Sequence, residues 1–331
     1  MDLSTSYLGM RLPHPLVMGA SPLVDDLDMV KRIEDAGAAA IVMHSLFEEQ
    51  LTLAQVALQH TVTEHEESFG EARDYFPDVV HFGLGPDEYL EQLSRIRQAV
   101  AIPVLASLNG VTPRGWLSYA RLIEQAGAHG LELNVYDVAT NVRQSAAEIE
   151  DKTVAIVELL RKVTQLPLAV KLSPFHTSLG YLAERLAHAG ANGLVLFNRF
   201  WQPDIDIEEL TLSRKLNLSD SSELLLRTHW LAILSPSVRL SLAASGGVHT
   251  THDAIKAVMS GAHAVQMVSE ILQHGPERFR QIRSELSEWL ERHEYDSLEQ
   301  MQGSMNLRRT PDPHGYERIN YMHLLQSYRA G

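Results

Sequence analysis

The run LELNVYDVAT (131–140) is apolar and β-favouring at Leu131, Leu133 and Val135, yet it carries an amide at Asn134 and ends on a phenol and a carboxylate, Tyr136 and Asp137. An amide on a buried strand is costly unless a partner satisfies it. A phenol and a carboxylate at a strand's end are groups that hydrogen-bond and exchange protons. A second apolar run, LPLAVKLSP (166–174), carries Lys171 and Ser173. Other apolar runs end the same way: in Ala20-Ser21, in His44-Ser45, in Ser107 and Asn109, in Asn198-Arg199, in Ser245-Gly246-Gly247, and in Gln266 and Ser269. Any one of these groups is compatible with a satisfied core position, and Ser107 and Gln266 fit that reading as well as any other. A whole set gathered on one rim points to a ligand.

The elements that position this set repeat along the chain. EDAGAAAIVMHS (34–45), EQAGAHGLELNV (124–135), AHAGANGLVLFN (187–198) and MSGAHAVQMVS (259–269) each join a helix end, a Gly and an apolar run. The Gly fits the left-handed position where a helix stops. The run is apolar almost throughout, as a parallel strand covered on both faces should be. PLVMGAS (15–21), IPVLASLNG (102–110), LPLAVKLSP and VRLSLAASGG (238–247) complete eight strands. Helical patterns follow at about 26–36, 86–99, 114–126, 145–163, 178–189, 221–234, 251–260 and 276–292. Strict alternation with right-handed crossovers predicts an α/β fold, a (β/α)8 TIM barrel. An open doubly wound sheet is less apt, because the GASP turn after the first strand is not G-x-G-x-x-G. We expect one domain over 1–331, with insertions at about 46–85, 136–144 and 199–220, all at the C-terminal face where barrels keep their chemistry. The first insertion contains an amphipathic segment, EEQLTLAQVALQHTVTEH (48–65). It reads as a lid, a subunit contact or a plain surface helix.

On this frame Gly246-Gly247 and Ser269 lie where barrels often bind phosphate. Amides and a Lys nearer the centre suit a flat heterocycle, and a Lys at a flavin's pyrimidine edge stabilises the anionic reduced ring. A phosphate end plus a heteroaromatic end makes flavin mononucleotide (FMN) a sensible cofactor.

Composition narrows the partners. The 331 residues carry a formal net charge of −14, which disfavours nucleic acid. With 45% hydrophobic residues, the chain has enough for a sizeable core. There is no cysteine, so disulfides, thiolate catalysis and a Cys-ligated iron–sulfur cluster are excluded for this sequence. The 16 histidines show no metal-ligand spacing, so no metal is expected. No signal pattern or membrane-spanning run is visible, and a cytoplasmic location is expected.

The stretches GASP, LELN, AVKLSP, ASGGV, DAIKAVMSGAHAVQMVSEIL and RFRQIRSELSEWL together resemble the dihydroorotate dehydrogenase family, particularly its soluble class 1. The resemblance covers most of the chain. It implies FMN held by Ala20, Ser21, Ser45, Asn109, Asn134, Lys171, Asn198, Gly246, Gly247 and Ser269, with the phosphate near the last three. It implies oxidation of a CH–CH bond of a pyrimidine-like substrate by hydride transfer, a role in pyrimidine biosynthesis, and a homodimer. The family's loop after its fourth strand reads N-x-S-C-P-N or N-x-S-S-P-N, with Cys or Ser as base. Here it reads Asn134-Val135-Tyr136-Asp137-Val138-Ala139. Asp137 therefore falls in the base's place, with Tyr136 as an alternative or orienting group; the plain reading of Asp137 is a turn residue. The family's Lys near strand two is His44 here, and its MGLPN stretch is replaced, the nearest being HFGLGPDEY (81–89). FMN binding looks kept and orotate recognition largely lost, as in a divergent branch. Two other readings follow. One is a non-catalytic FMN-binding or regulatory subunit; the other is a lyase using a Lys171 Schiff base. Without cysteine, electrons leave through a diffusing acceptor or an electron-acceptor partner protein.

Overall fold

The computed structural model describes residues 1–50, 85–110, 116–213 and 216–327. Most of the 46–85 insertion, including residues 51–65 of its amphipathic segment, lies outside the described residues.

The chain opens with a hairpin, β1 (Thr5–Tyr7) and β2 (Met10–Leu12), paired antiparallel. Its two-residue turn places Leu8 at φ 52° and Gly9 at φ 77°, the left-handed pair that a tight hairpin needs. The barrel then begins with β3 (Leu16–Met18), followed by α1 (Leu27–Asp35), β4 (Ile41–Phe47), α2 (Pro86–Ala99), β5 (Val104–Asn109) and α3 (Trp116–Gln125). Next come β6 (Gly130–Asn134), α4 (Ala146–Arg161), β7 (Leu168–Leu172), α5 (Leu179–His188) and β8 (Gly193–Leu196). A small exposed hairpin, β9 (Asp204–Asp206) with β10 (Thr211–Ser213), precedes α6 (Leu224–Leu234). The rest is β11 (Ser241–Ser245), α7 (Thr251–Ser260), β12 (Ala264–Met267), α8 (Ser269–His274), α9 (Arg278–Arg292), α10 (Leu298–Met301) and α11 (Ile319–Ser327).

Eight strands close in the order β11-β12-β3-β4-β5-β6-β7-β8, every neighbouring pair parallel. The predicted (β/α)8 barrel is what the chain forms. The four repeat glycines, Gly37, Gly127, Gly190 and Gly261, all sit at positive φ after a helix, as the repeat implied. Helix termini are specified locally. Ser145 and Glu148 form a capping box on α4, and Thr250 and Asp253 form one on α7. On α9 the buried residues Phe279, Ile282, Leu286 and Leu290 recur at helical spacing and face the barrel.

The N-terminal hairpin is a departure from expectation, which began the first strand near residue 15. Tyr7, Leu8 and Leu12 are buried against Val17, Val42, Leu105, Ala169, Val195, Ala243 and Ala264, closing the lower end of the barrel. The backbone amide of Leu8 donates to Ser241 Oγ (3.0 Å), and a Cβ on Gly193 would lie 2.6 Å from Leu8 Cδ2. The plug therefore leaves no room for a side chain at position 193. Among the described residues no helix is long and apolar enough to cross a membrane.

Candidate functional site

Glu132 and Asn134 alternate with Leu131 and Leu133 along β6, so both side chains point into the barrel. Glu132 is fully buried. Its Oε1 lies 3.4 Å from Lys171 Nζ, and its Oε2 accepts from Gln266 Nε2 at 2.5 Å. Lys171 Nζ also donates to Gln266 Oε1 at 3.3 Å, which closes a triangle of side chains from β6, β7 and β12. A buried carboxylate is tolerable only when paired and hydrogen-bonded, and this one is both. Tyr7, from the hairpin plug, has a buried hydroxyl without a hydrogen-bond partner. Burial, and then the negative charge of Glu132, hold its phenol well above the ordinary tyrosine range.

Beside the triangle lies a second polar group on β4–β6. Ser45 and Ser107 hydroxyls are 2.8 Å apart, and Asn134 Nδ2 donates to Ser45 Oγ at 3.4 Å. Asn134 Oδ1 is buried with no partner. The register of β4 on β5 shifts between Val42 and Ser45. At this level Tyr89 of α2 binds the backbone of Ser107: its hydroxyl accepts from the Ser107 amide (2.9 Å) and donates to the Ser107 carbonyl (3.2 Å). His44 meets the Tyr89 ring edge-on at 5.3 Å. Its Nδ1 lies 2.5 Å from Asp25 Oδ1.

The loops after β8, β11 and β12 form the other end of the site. Gly246 and Gly247 hold φ 86° and 79°. A Cβ on Gly247 would come within 2.8 Å of Leu224 Cα, and one on Gly246 within 2.8 Å of Arg227 Nη2. Ser219 Oγ accepts the Gly247 amide (3.3 Å), donates to Ser269 Oγ (2.9 Å) and lies 3.2 Å from His249 Nε2. Arg227 is buried, donating to the carbonyls of Ser245 (2.7 Å) and Glu223 (2.5 Å). Burial lowers its pKa, opposed by the nearby Glu223 carboxylate. Asn198 Nδ2 ties the strand ends together through the carbonyls of Val135 (3.1 Å) and Lys171 (3.2 Å).

A cavity of about 240 Å³ opens between these groups. Ala20, Ser21, Lys171, Asn198, Gly246, Gly247, Gln266 and Ser269 line it. Ser45, Asn109 and Asn134 are not in its lining and gather on the neighbouring strands with Ser107. Tyr136 and Asp137 lie past the end of β6 and also stand outside it. Tyr136 Oη accepts from the Trp201 amide (3.0 Å), and Asp137 Oδ2 is 3.4 Å from Lys152 Nζ on α4. Glu132, Tyr89, Ser219 and Arg227 were not singled out from sequence. For Glu132 the signal was present, since it shares parity with Asn134 inside an apolar run. For Tyr89 and Ser219 the contacts are long-range and leave no local pattern, and Arg227 joins the site through the Ser245 carbonyl, 18 positions away.

A parallel eight-stranded barrel with a buried cation, amides and a glycine cradle at its C-terminal face is an enzyme-type site. The family model described as dihydroorotate dehydrogenase matches residues 82–290, and the chain belongs to that family. It is 24% identical over 325 residues to the NAD-dependent dihydropyrimidine dehydrogenase subunit PreA of Escherichia coli (strain K12), covering 92% of this chain and 77% of that protein. It is 29% identical over 233 residues to the dihydroorotate dehydrogenase B (NAD(+)) catalytic subunit of Geobacter sp. (strain M21), covering 68% of this chain and 75% of the relative. The corresponding subunit of Thermoplasma acidophilum is 24% identical over 306 residues, covering 91% and 98%. The chain is thus a dehydrogenase-family oxidoreductase.

Proposed function

We propose that the barrel binds FMN and oxidises a CH–CH bond of a small pyrimidine-like substrate. The residues present fit that cofactor. The observation that carries the reading is the cavity lined at one end by Lys171, Asn198 and Gln266 and at the other by Gly246, Gly247 and Ser269; on the strand beside Lys171, outside that lining, Asn134 Oδ1 is a buried acceptor left unpaired. Buried polar atoms in folded proteins nearly always have partners, and an orphan at a rim of donors and acceptors awaits one. The cradle of Gly246 and Gly247, where a side chain would collide with Arg227 and the start of α6, suits a phosphate approached by backbone amides.

In this reading Gly246, Gly247 and Ser269 hold the phosphate, and Ser219 gives up its hydrogen bonds with Gly247 and Ser269 to make room. Ala20, Ser21, Ser45, Asn109, Asn134, Lys171 and Asn198 hold the rest of the cofactor. When bound, the flavin supplies the hydride acceptor. Lys171 places a positive charge at the site. Asp137 is assigned as the group that takes the substrate proton, exchanging its pairing with Lys152 to do so. Tyr136 orients the segment entering the β9–β10 hairpin through the Trp201 amide. The names of two relatives, a dihydropyrimidine dehydrogenase subunit and a dihydroorotate dehydrogenase B catalytic subunit, support a dihydropyrimidine as the substrate. With no cysteine in the sequence, electrons pass to a diffusing acceptor or to a partner protein.

Anaerobic titration of the purified protein with dihydroorotate and with dihydrouracil tests this. The flavin bands should bleach with at least one of them. Bleaching by dithionite but by no dihydropyrimidine would remove the substrate class. An Asp137→Asn variant should keep its flavin and slow that reduction by about 10²–10⁴-fold, the usual weight of a general base. An unchanged rate would remove Asp137 from the role.

A further inference from the structure

Lys171 does not face the cavity as an isolated cation. Its ammonium is paired with a carboxylate that has no contact with solvent, and Gln266 bonds to both members of the pair. Three strands supply the three side chains. A carboxylate used only to fill space would be replaced at lower cost by an apolar side chain of the same volume.

We propose that Glu132 is a positioning residue: it fixes the Lys171 ammonium and offsets its charge, and so sets how strongly the site favours reduced flavin. This rests on the flavin reading above. Gln266 holds the geometry. Its amide nitrogen restrains Glu132 and its amide oxygen restrains Lys171, so the ammonium has one direction left in which to act, toward the cavity. With the pair intact, the local charge is close to neutral. Without the carboxylate, an unopposed cation favours the anionic reduced ring.

The test is the equilibrium ratio of reduced to oxidised flavin against a reference dye of fixed potential, in four proteins: the wild type, Glu132→Gln, Lys171→Met and the double variant. Glu132→Gln should raise the ratio at least tenfold, equivalent to about 30 mV for a two-electron couple. Lys171→Met should lower it. The double variant, with neither charge left, should lie below Glu132→Gln. If Glu132 were only structural, Glu132→Gln would match the wild type, and that result overturns the proposal. If Glu132→Gln does not fold, Glu132→Asp, which keeps the charge but draws it back from Lys171, should still raise the ratio, and an unchanged ratio overturns the proposal. A wild-type protein that is colourless and takes up no added FMN defeats the flavin reading itself. Four yellow proteins with one common ratio defeat only the role of Glu132.

Discussion

Replacing Gly247 by Ala should disturb the chain more than replacing any solvent-facing left-handed glycine. Gly247 sits at φ 79°, where an L-residue bears about 1–2 kcal/mol of strain. Its added Cβ would lie 2.8 Å from Leu224 Cα and 2.9 Å from the Glu223 carbonyl carbon, and closer still to the Leu224 amide nitrogen. These are backbone atoms at the junction of the Ser221–Glu223 turn and α6, so relief requires moving the chain. Overpacking of this kind costs about 1–3 kcal/mol, giving about 2–5 kcal/mol in all. Gly9 of the hairpin turn is the control: φ 77°, with nothing within 4 Å of its would-be Cβ, so Gly9→Ala carries the backbone strain alone. Urea unfolding of the two variants beside the wild type should separate them by about 1–3 kcal/mol. On the flavin reading proposed above, Gly247→Ala should also bind FMN more weakly, because its amide is displaced. Equal unfolding midpoints for the two variants would refute the claim that Gly247 is pressed against α6.

Two more predictions follow from buried groups. His14 is buried with its Nδ1 accepting the Leu16 amide at 3.3 Å; burial, then the Arg283 guanidinium, push its pKa down to about 4. The unfolded chain binds this proton below about pH 6.5, while the folded chain refuses it until about 4, so stability is fully present above 6.5 and falls across that window by about 3 kcal/mol. His14→Gln should flatten that part of a urea-midpoint profile, and an unchanged profile would contradict the assignment. Tyr89→Phe removes the hydroxyl that serves both backbone groups of Ser107, leaving two buried polar groups unpaired. It should lose about 2–4 kcal/mol with an unchanged denaturant slope; a loss below about 0.5 kcal/mol would show that those groups find other partners.

Much of the barrel is legible because its signals are local. A parallel strand covered on both faces reads as one apolar run, and a helix stopped by a left-handed Gly announces the next strand. The hairpin plug escaped because each strand is three residues long and its turn is Leu8-Gly9 rather than an Asn-Gly or Asp-Gly pair. In the site, Lys171, Asn134 and the Gly246-Gly247 pair stand out as polar or flexible residues where apolar ones are expected. Glu132 was legible by the same logic, being two residues before Asn134 on the same face of β6. Ser219 and Tyr89 were not, since each gains its role from residues 18 or more positions away, Gly247, Ser269 and Ser107. The family resemblance implied the base's place for Asp137, with a turn residue as the plain reading, but could not show that its carboxylate rests beside Lys152.

The measurement that bears most directly on the account is the flavin content of the purified chain, read from its visible absorption before and after incubation with FMN and gel filtration. The account predicts a yellow protein with stoichiometric FMN that is released on unfolding. A colourless protein that leaves the column without flavin after incubation would contradict it.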